Sequence, residues 1–230
     1  MKPSLLILAL ILVGAVDARA DLTIVQKIEG GEGTNKVTLK VKGDKARVEV
    51  NPQITTIMDS KSGDLTTLFN DQKKVMRISG EKAKAMAEMA KAMMKGNSEA
   101  SPPKPSGRKE TINGYMTEEY VSDSSKLHTS YWVAKSYPNY QSILQQMAVL
   151  QNGAFAAMRK GFPNYHDLPG LPLRTVIKPE GEAGITSTIE SVNDTSLPAS
   201  DFTVPADYSE MKMPDFLGGK QSPGKPSDGE

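Results

Sequence analysis

The sequence predicts a single α+β domain: a strongly curved antiparallel sheet or incomplete β-barrel with at least two helices on its concave side. Short apolar/polar alternations recur between turn residues over 22–78 and again over 110–192, as strands of a meander do. Two stretches, 81–94 and 138–160, switch to helical period and interrupt the strand series. The chain has 230 residues and no Cys, so its core must form without disulfide staples, and its length suffices for that.

The first twenty residues set a compartment before any strand is drawn. Lys2 precedes an apolar run over 5–16, and Ala18-Arg19-Ala20 is the small-x-small pattern that a signal peptidase reads. As a helix that run is about 18 Å long, well short of the ~30 Å hydrocarbon core, so cleavage after Ala20 fits better than a retained anchor. The expected mature protein begins at Asp21 and is periplasmic or secreted. Lipid modification of a cysteine is impossible. The full chain carries formal net charge +1, and removing Lys2, Asp17 and Arg19 brings it near zero. No block of like charge marks a nucleic-acid or polybasic membrane surface.

Within the meander, one hairpin shows its own register. Val37, Leu39 and Val41 alternate with Thr38, Lys40 and Lys42; Gly43-Asp44 makes a two-residue turn, and Ala46, Val48 and Val50 alternate with Arg47 and Glu49. Placing Lys42 opposite Lys45 sets Val41 against Ala46, Leu39 against Val48 and Val37 against Val50. All six apolar side chains then share a buried face, and Thr38, Lys40, Arg47 and Glu49 share a wet one. Further strands are predicted at 54–58, 65–69 and 74–78. Glu29-Gly30-Gly31-Glu32-Gly33 has acidic neighbours and reads as a hairpin loop, not a phosphate cradle.

Over 81–94, Ala83, Met86, Met89, Ala90 and Met93 fall on one helical arc, with Lys84, Glu88, Lys91 and Lys95 opposite. Residues 97–109, with three prolines, read as an exposed loop inside one domain. Strands follow at 110–122 and 126–134. Pro138 suits the first turn of a second helix carrying Ile143, Met147, Leu150, Ala154 and Met158, with Gly161 as its cap. Strands resume at 173–177 and 184–192. The one domain is expected to run over 21–217, with a disordered Gly/Pro/Ser tail over 218–230.

Catalytic chemistry has little to work with. His128 and His166 are the only histidines, and neither a P-loop, a G-x-S-x-G nor an H-E-x-x-H occurs. No catalytic residue, metal site or cofactor is predicted. The methionine-bearing arc carries the functional expectation, because Met adapts to irregular apolar guests as readily as it fills cores. The candidate groove residues are Met86, Met89 and Met93 of the first helix and Ile143 and Met147 of the second.

Several motifs, taken together, resemble a known family. They are the leader, the run from Lys42 to Glu49, Ile112-Asn113-Gly114-Tyr115, Trp132-Val133-Ala134-Lys135, Gly170-Leu171-Pro172-Leu173, and Phe202-Thr203-Val204-Pro205-Ala206-Asp207-Tyr208. In this order they resemble an uncharacterised family of exported bacterial proteins, itself similar to the LolA/LppX carriers. The resemblance implies a half-open barrel around helices that holds acyl chains in the envelope. It places no cargo-binding residue on this sequence. The expected function is noncatalytic binding of an acyl chain, lipid or other apolar ligand. The alternatives are an envelope protein-interaction or sensor module on the same fold, and, third, a hydrolase without a recognisable motif. No nucleic-acid partner is expected, and no membrane anchor after cleavage.

Overall fold

A computed structural model describes residues 21–30, 33–93, 101–124, 127–151 and 167–211. The leader at 1–20, Gly31 and Glu32, Ala154, Met158, Gly161, His166 and the tail at 218–230 lie outside the described residues. In chain order the strands of the first half are β1 (Leu22–Gly30), β2 (Gly33–Lys42), β3 (Lys45–Asn51), β4 (Ile54–Asp59), β5 (Leu65–Phe69) and β6 (Lys74–Ile78). Helix α1 (Gly80–Met93) leads to β7 (Lys104–Ile112), β8 (Tyr115–Asp123) and β9 (Leu127–Ala134). Helix α2 (Tyr140–Met147) is followed by β10 (Leu171–Pro179), β11 (Ile185–Asn193) and β12 (Ser209–Glu210).

All twelve strands form one sheet in the order β12-β6-β5-β4-β3-β2-β1-β11-β10-β9-β8-β7. The first half grows outward from β1 by hairpins, the second grows back inward to β11, and the antiparallel β1–β11 pair joins them. Among the described residues β7 and β12 are the edges and do not pair with each other, so the sheet is open, not a closed barrel. Among the described strands only β12, which pairs with β6, runs parallel to its neighbour.

The β2–β3 hairpin has the predicted register: Lys42 faces Lys45, Val41 faces Ala46 and Leu39 faces Val48. Gly43 takes φ +57° and Asp44 does not take positive φ, the pattern of a type II′ turn. Val50 departs from the expected face. The β3–β4 register slips between Glu49 and Asn51, and Val50 is left 42% exposed. A bulged residue faces no partner and turns off the pleat, which alternation alone does not foresee.

The face expected to be wet is also covered. After β11 the chain crosses the outside of the first half, where Asp201 accepts from Lys40 Nζ at 2.9 Å and its carbonyl accepts from Arg47 Nη1 at 2.9 Å. Phe202 is buried among Ile57, Leu68 and Val75 of β4–β6, with Leu197, Val204 and Tyr208 around it. The Asp21 carboxylate fastens the start of this strap, accepting from Lys42 Nζ and from the Leu197 N–H, both at 2.6 Å. At its far end β12 completes the β6 edge. Both faces of the first half are therefore used.

The larger core lies on the opposite face. Leu22, Ile24, Leu39 and Val41 of the first half meet Ile112, Leu171 and Ile189 of the second, together with Ile143, Leu144 and Met147 of α2. The predicted strand at 110–122 is in fact two, split by a turn in which Asn113 (φ +50°) and Gly114 (φ +80°) both take left-handed backbone. That is the Asn-Gly type I′ signature. Part of the predicted loop at 97–109 is β7, which accommodates Pro105 because it is an edge strand and its pairing skips between Pro105 and Lys109.

The tip of the β7–β8 hairpin reports the shape of this half. Asn113 Nδ2 donates to the Ile189 carbonyl of β11 at 2.5 Å. In a flat sheet β8 and β11 are about 14 Å apart, beyond the reach of an asparagine side chain. This end of the sheet is rolled toward the face that carries the larger core.

Helix α1 buries a narrower stripe than its period predicts. Ala83 and Ala87 are 3% and 7% exposed, whereas Met86 and Met89 are 39% and 49% exposed. Ser79 caps the helix: its carbonyl accepts from the Ala83 N–H, and Asp64 Oδ1 accepts from the Gly80 N–H. The seating is tight, since a Cβ on Gly80 would lie 2.0 Å from the Ser62 carbonyl oxygen. Along the helix, alanine and not methionine occupies the buried stripe. α2 begins at Tyr140, two residues past the expected Pro138, because Asn139 takes φ +53° and breaks the helical path there.

Candidate functional site: a cavity at the start of α2

Where the rolled hairpin tip approaches α2, a cavity of about 400 Å³ opens. Leu22 of β1, Val192 of β11 and Ile143 of α2 supply its aliphatic lining, and Tyr115 and Tyr137 its aromatic lining. Pro138, Asn139, Ser142, Gln146 and Asp194 complete it. Each element has a local reason to be there. The Asn113-Gly114 turn delivers Tyr115 at the head of β8, and Tyr137 is held at the end of β9 by its N–H donating to the Ala134 carbonyl at 3.4 Å. The two rings meet at 4.7 Å between centroids, tilted by 41°. Asn139 in left-handed backbone then turns the chain into α2.

The chemistry of the cavity is that of a binding pocket with a wet rim. Leu22 is fully buried and Ile143 nearly so, while Asn139, Ser142 and Asp194 are exposed. Burial raises the Tyr137 hydroxyl above its ordinary range, with the neighbouring Tyr115 adding to the effect. Tyr137 therefore stays neutral at neutral pH. Asp194 is the one charged residue in the lining and has no ion-pair or hydrogen-bond partner among the described residues.

A charged network on β7–β10 pairs Arg108 with Glu119 and Arg174 with Glu110. Glu119, 1% exposed, accepts from Arg108 Nε at 2.6 Å and Ser106 Oγ at 2.5 Å and pairs with the other guanidinium nitrogen of Arg108. Arg108 also lies over Trp132, 5.7 Å from the ring centroid. Glu110 takes Arg174 Nη1 on both oxygens at 2.9 Å. Burial alone would raise the Glu119 carboxyl, but the bonds from Arg108, Ser106 and Ser130 together hold it below the usual range. A carboxylate fixed in this way is a structural charge, not an acid or base poised for catalysis. His128 is exposed and pairs through Nδ1 with Asp123 at 2.6 Å. Among the described residues no group of three or more His, Asp or Glu is placed to hold a metal ion. No helix among them is long and apolar enough to cross a membrane.

Of the residues expected to form a groove, Ile143 lines the cavity and Met147, 4% exposed, supports α2 from the core. Met86 and Met89 are exposed and do not line this cavity, and the Met93 side chain lies outside the described residues. Sequence reasoning passed over Tyr115, Tyr137, Leu22, Val192 and Asp194. Two signals were available: Tyr115 directly follows an Asn-Gly turn, and Tyr137-Pro138-Asn139 links a strand to a helix, where loops carry function.

The family model described as a domain of unknown function, DUF4412, matches residues 21–208. The chain belongs to that family. No curated protein matches it. Among solved structures it is similar to a LolA superfamily protein, NE2245 from Nitrosomonas europaea, at 12% identity and TM-score 0.32, over 80% of this chain and 89% of that one. A DUF1329 family protein from Desulfovibrio piger matches at 13% identity and TM-score 0.33, over 81% and 91% of the two chains. PNGF-II matches at 14% identity and TM-score 0.41 over 86% of this chain, which spans only 31% of that protein. At TM-scores this low, none of these likenesses carries a functional inference.

Proposed function

We propose that this protein is a noncatalytic binding protein of the bacterial envelope that holds an acyl chain or other apolar molecule in the cavity beside α2. In this reading the leader is removed before Asp21, the sheet acts as a half-barrel, and α2 lies on its concave side. The observation that carries the proposal is the cavity itself: an aliphatic and aromatic lining, a polar rim, and a volume within the ~300–1,000 Å³ common for small-molecule sites. The rolling of the β7–β8 tip toward the core face that α2 shares supports the half-barrel geometry.

The energetics suffice without any reacting group. Ten methylenes taken out of water contribute about 8 kcal/mol, from which the cost of ordering the chain is subtracted. Ile143 forms the floor and Met147 backs it, while Met86 and Met89 have no part in this cavity.

The test is mass spectrometry of protein extracted from its native envelope. The expected result is a chain beginning at Asp21 with an apolar small molecule co-purifying. In vitro, the mature protein should bind an uncharged fluorescent probe that carries a long alkyl chain. Ser142→Trp, which fills the cavity from an exposed rim position, should abolish binding with the circular dichroism spectrum unchanged. Gln145→Ala, also exposed but outside the lining, should bind as wild type does. Protein that carries no guest and binds no probe overturns the proposal.

A further inference from the structure

The rim of the cavity carries a charge that an acyl chain does not use. Among the described residues Asp194 is the one carboxylate of the lining: Asn139, Ser142 and Gln146 are uncharged, and no described lysine or arginine lines the site. The same lining carries Tyr115 and Tyr137, a tilted aromatic pair with ring centroids 4.7 Å apart. A carboxylate and two electron-rich rings lining one cavity are the chemistry that attracts an organic cation, since the ring faces are negative and a weakly hydrated ammonium gives up little in leaving water.

From this charge complementarity we propose that the guest is a cationic amphiphile: an apolar tail against Leu22, Ile143 and Val192, and an amine or quaternary ammonium head between Asp194 and the tyrosine pair. This inference rests on the apolar-binding reading above and names the head group that reading leaves open. One effect opposes it. The first turn of α2 also borders the cavity, and a helix N-terminus favours anions. Its effect is equivalent to roughly half a positive charge and fades within a turn. Asp194 contributes a whole negative charge to the lining against that half charge, a balance that favours a cation.

Three single-tailed amphiphiles with the same alkyl chain test the idea on the mature protein: dodecyltrimethylammonium, dodecyl maltoside and dodecanoate, each below its micellar concentration. Titration calorimetry should rank them ammonium first, maltoside about tenfold weaker, and dodecanoate weakest. Asp194→Asn should weaken the ammonium about tenfold and leave the maltoside within about twofold, and added salt should mimic that loss. Tyr137→Leu should lower ammonium affinity more than Tyr137→Phe, which keeps the ring face. Equal binding of all three with a silent Asp194→Asn overturns the head-group inference and leaves the apolar carrier standing. Dodecanoate binding tightest overturns it in favour of the helix end. Failure of all three to bind removes the carrier reading as well.

Discussion

Glu119 shows how one residue ties the charge state of the protein to its fold. Its carboxyl is 1% exposed, and three donors hold it ionised against the cost of burial. A folded value below the unfolded one of about 4.3 means that Glu119 stabilises the fold fully above that range. The stabilisation is lost as the pH falls through the depressed folded value. Urea unfolding of Glu119→Gln should show a loss of about 1–3 kcal/mol at pH 7 and a flatter decline of stability below pH ~4 than wild type. Arg108 is 65% exposed and can turn to solvent, so the variant strands no buried cation. An unchanged acid limb would mean that other carboxylates set the acid sensitivity.

At the scale of elements, the β7–β8 tip has the largest effect for its size. Asn113 meets two demands at once: left-handed backbone, which asparagine tolerates, and a side-chain donor for Ile189 across the roll. Asn113→Gly keeps the turn and removes only the donor, whereas Asn113→Ala removes both. Thermal unfolding should therefore place Gly near 1 kcal/mol below wild type and Ala about 2 kcal/mol below. Hydrogen exchange offers a second measurement: in both variants the amides of Tyr115 and Tyr137 should exchange faster, because the tip no longer holds the cavity wall. Equal protection in all three proteins would show that the roll is set by packing of Ile112 and Tyr115 alone.

For the molecule as a whole, the C-terminal strap decides whether the first half of the sheet is one-sided or two-sided. It covers Ile57, Leu68 and Val75, is pinned by Asp21 at one end, and completes the β6 edge with β12 at the other. The ion pair of Lys40 with Asp201 is about three-quarters shielded on each side and contributes modestly. The buried ring of Phe202 contributes more. Phe202→Ala should cost about 3–5 kcal/mol in denaturant unfolding and make the strap a site of early proteolytic cleavage. Release of β12 would also bare the β6 edge, so size-exclusion chromatography of the variant should reveal self-association at high concentration. A variant that resists protease as wild type does would assign the strap a passive role.

The sequence by itself determined those features that near neighbours along the chain dictate. Strict alternation on both sides of Gly43-Asp44 fixed the partners of Leu39 and Val41, because a slip of one residue would expose every apolar side chain. Helical period likewise placed Ile143 and Met147 on the buried side of α2. Membership of an uncharacterised family was legible from motif order. Only the tertiary structure decided what covers a face or edge, since that depends on partners distant in sequence. Phe202 lies far along the chain from the strands it caps, and the β1–β11 pair joins residues near the two ends of the domain. Proximity between Tyr115 and Tyr137 follows from the β8–β9 register, in which Glu118 faces Val133, whereas the bond from Asn113 to Ile189 requires the sheet to roll, and alternation is blind to curvature. Met86 and Met89 share the predicted apolar arc with Ala83, yet they are exposed where Ala83 and Ala87 are buried. Periodicity says which residues share a side of a helix, and the space available decides which of those are buried.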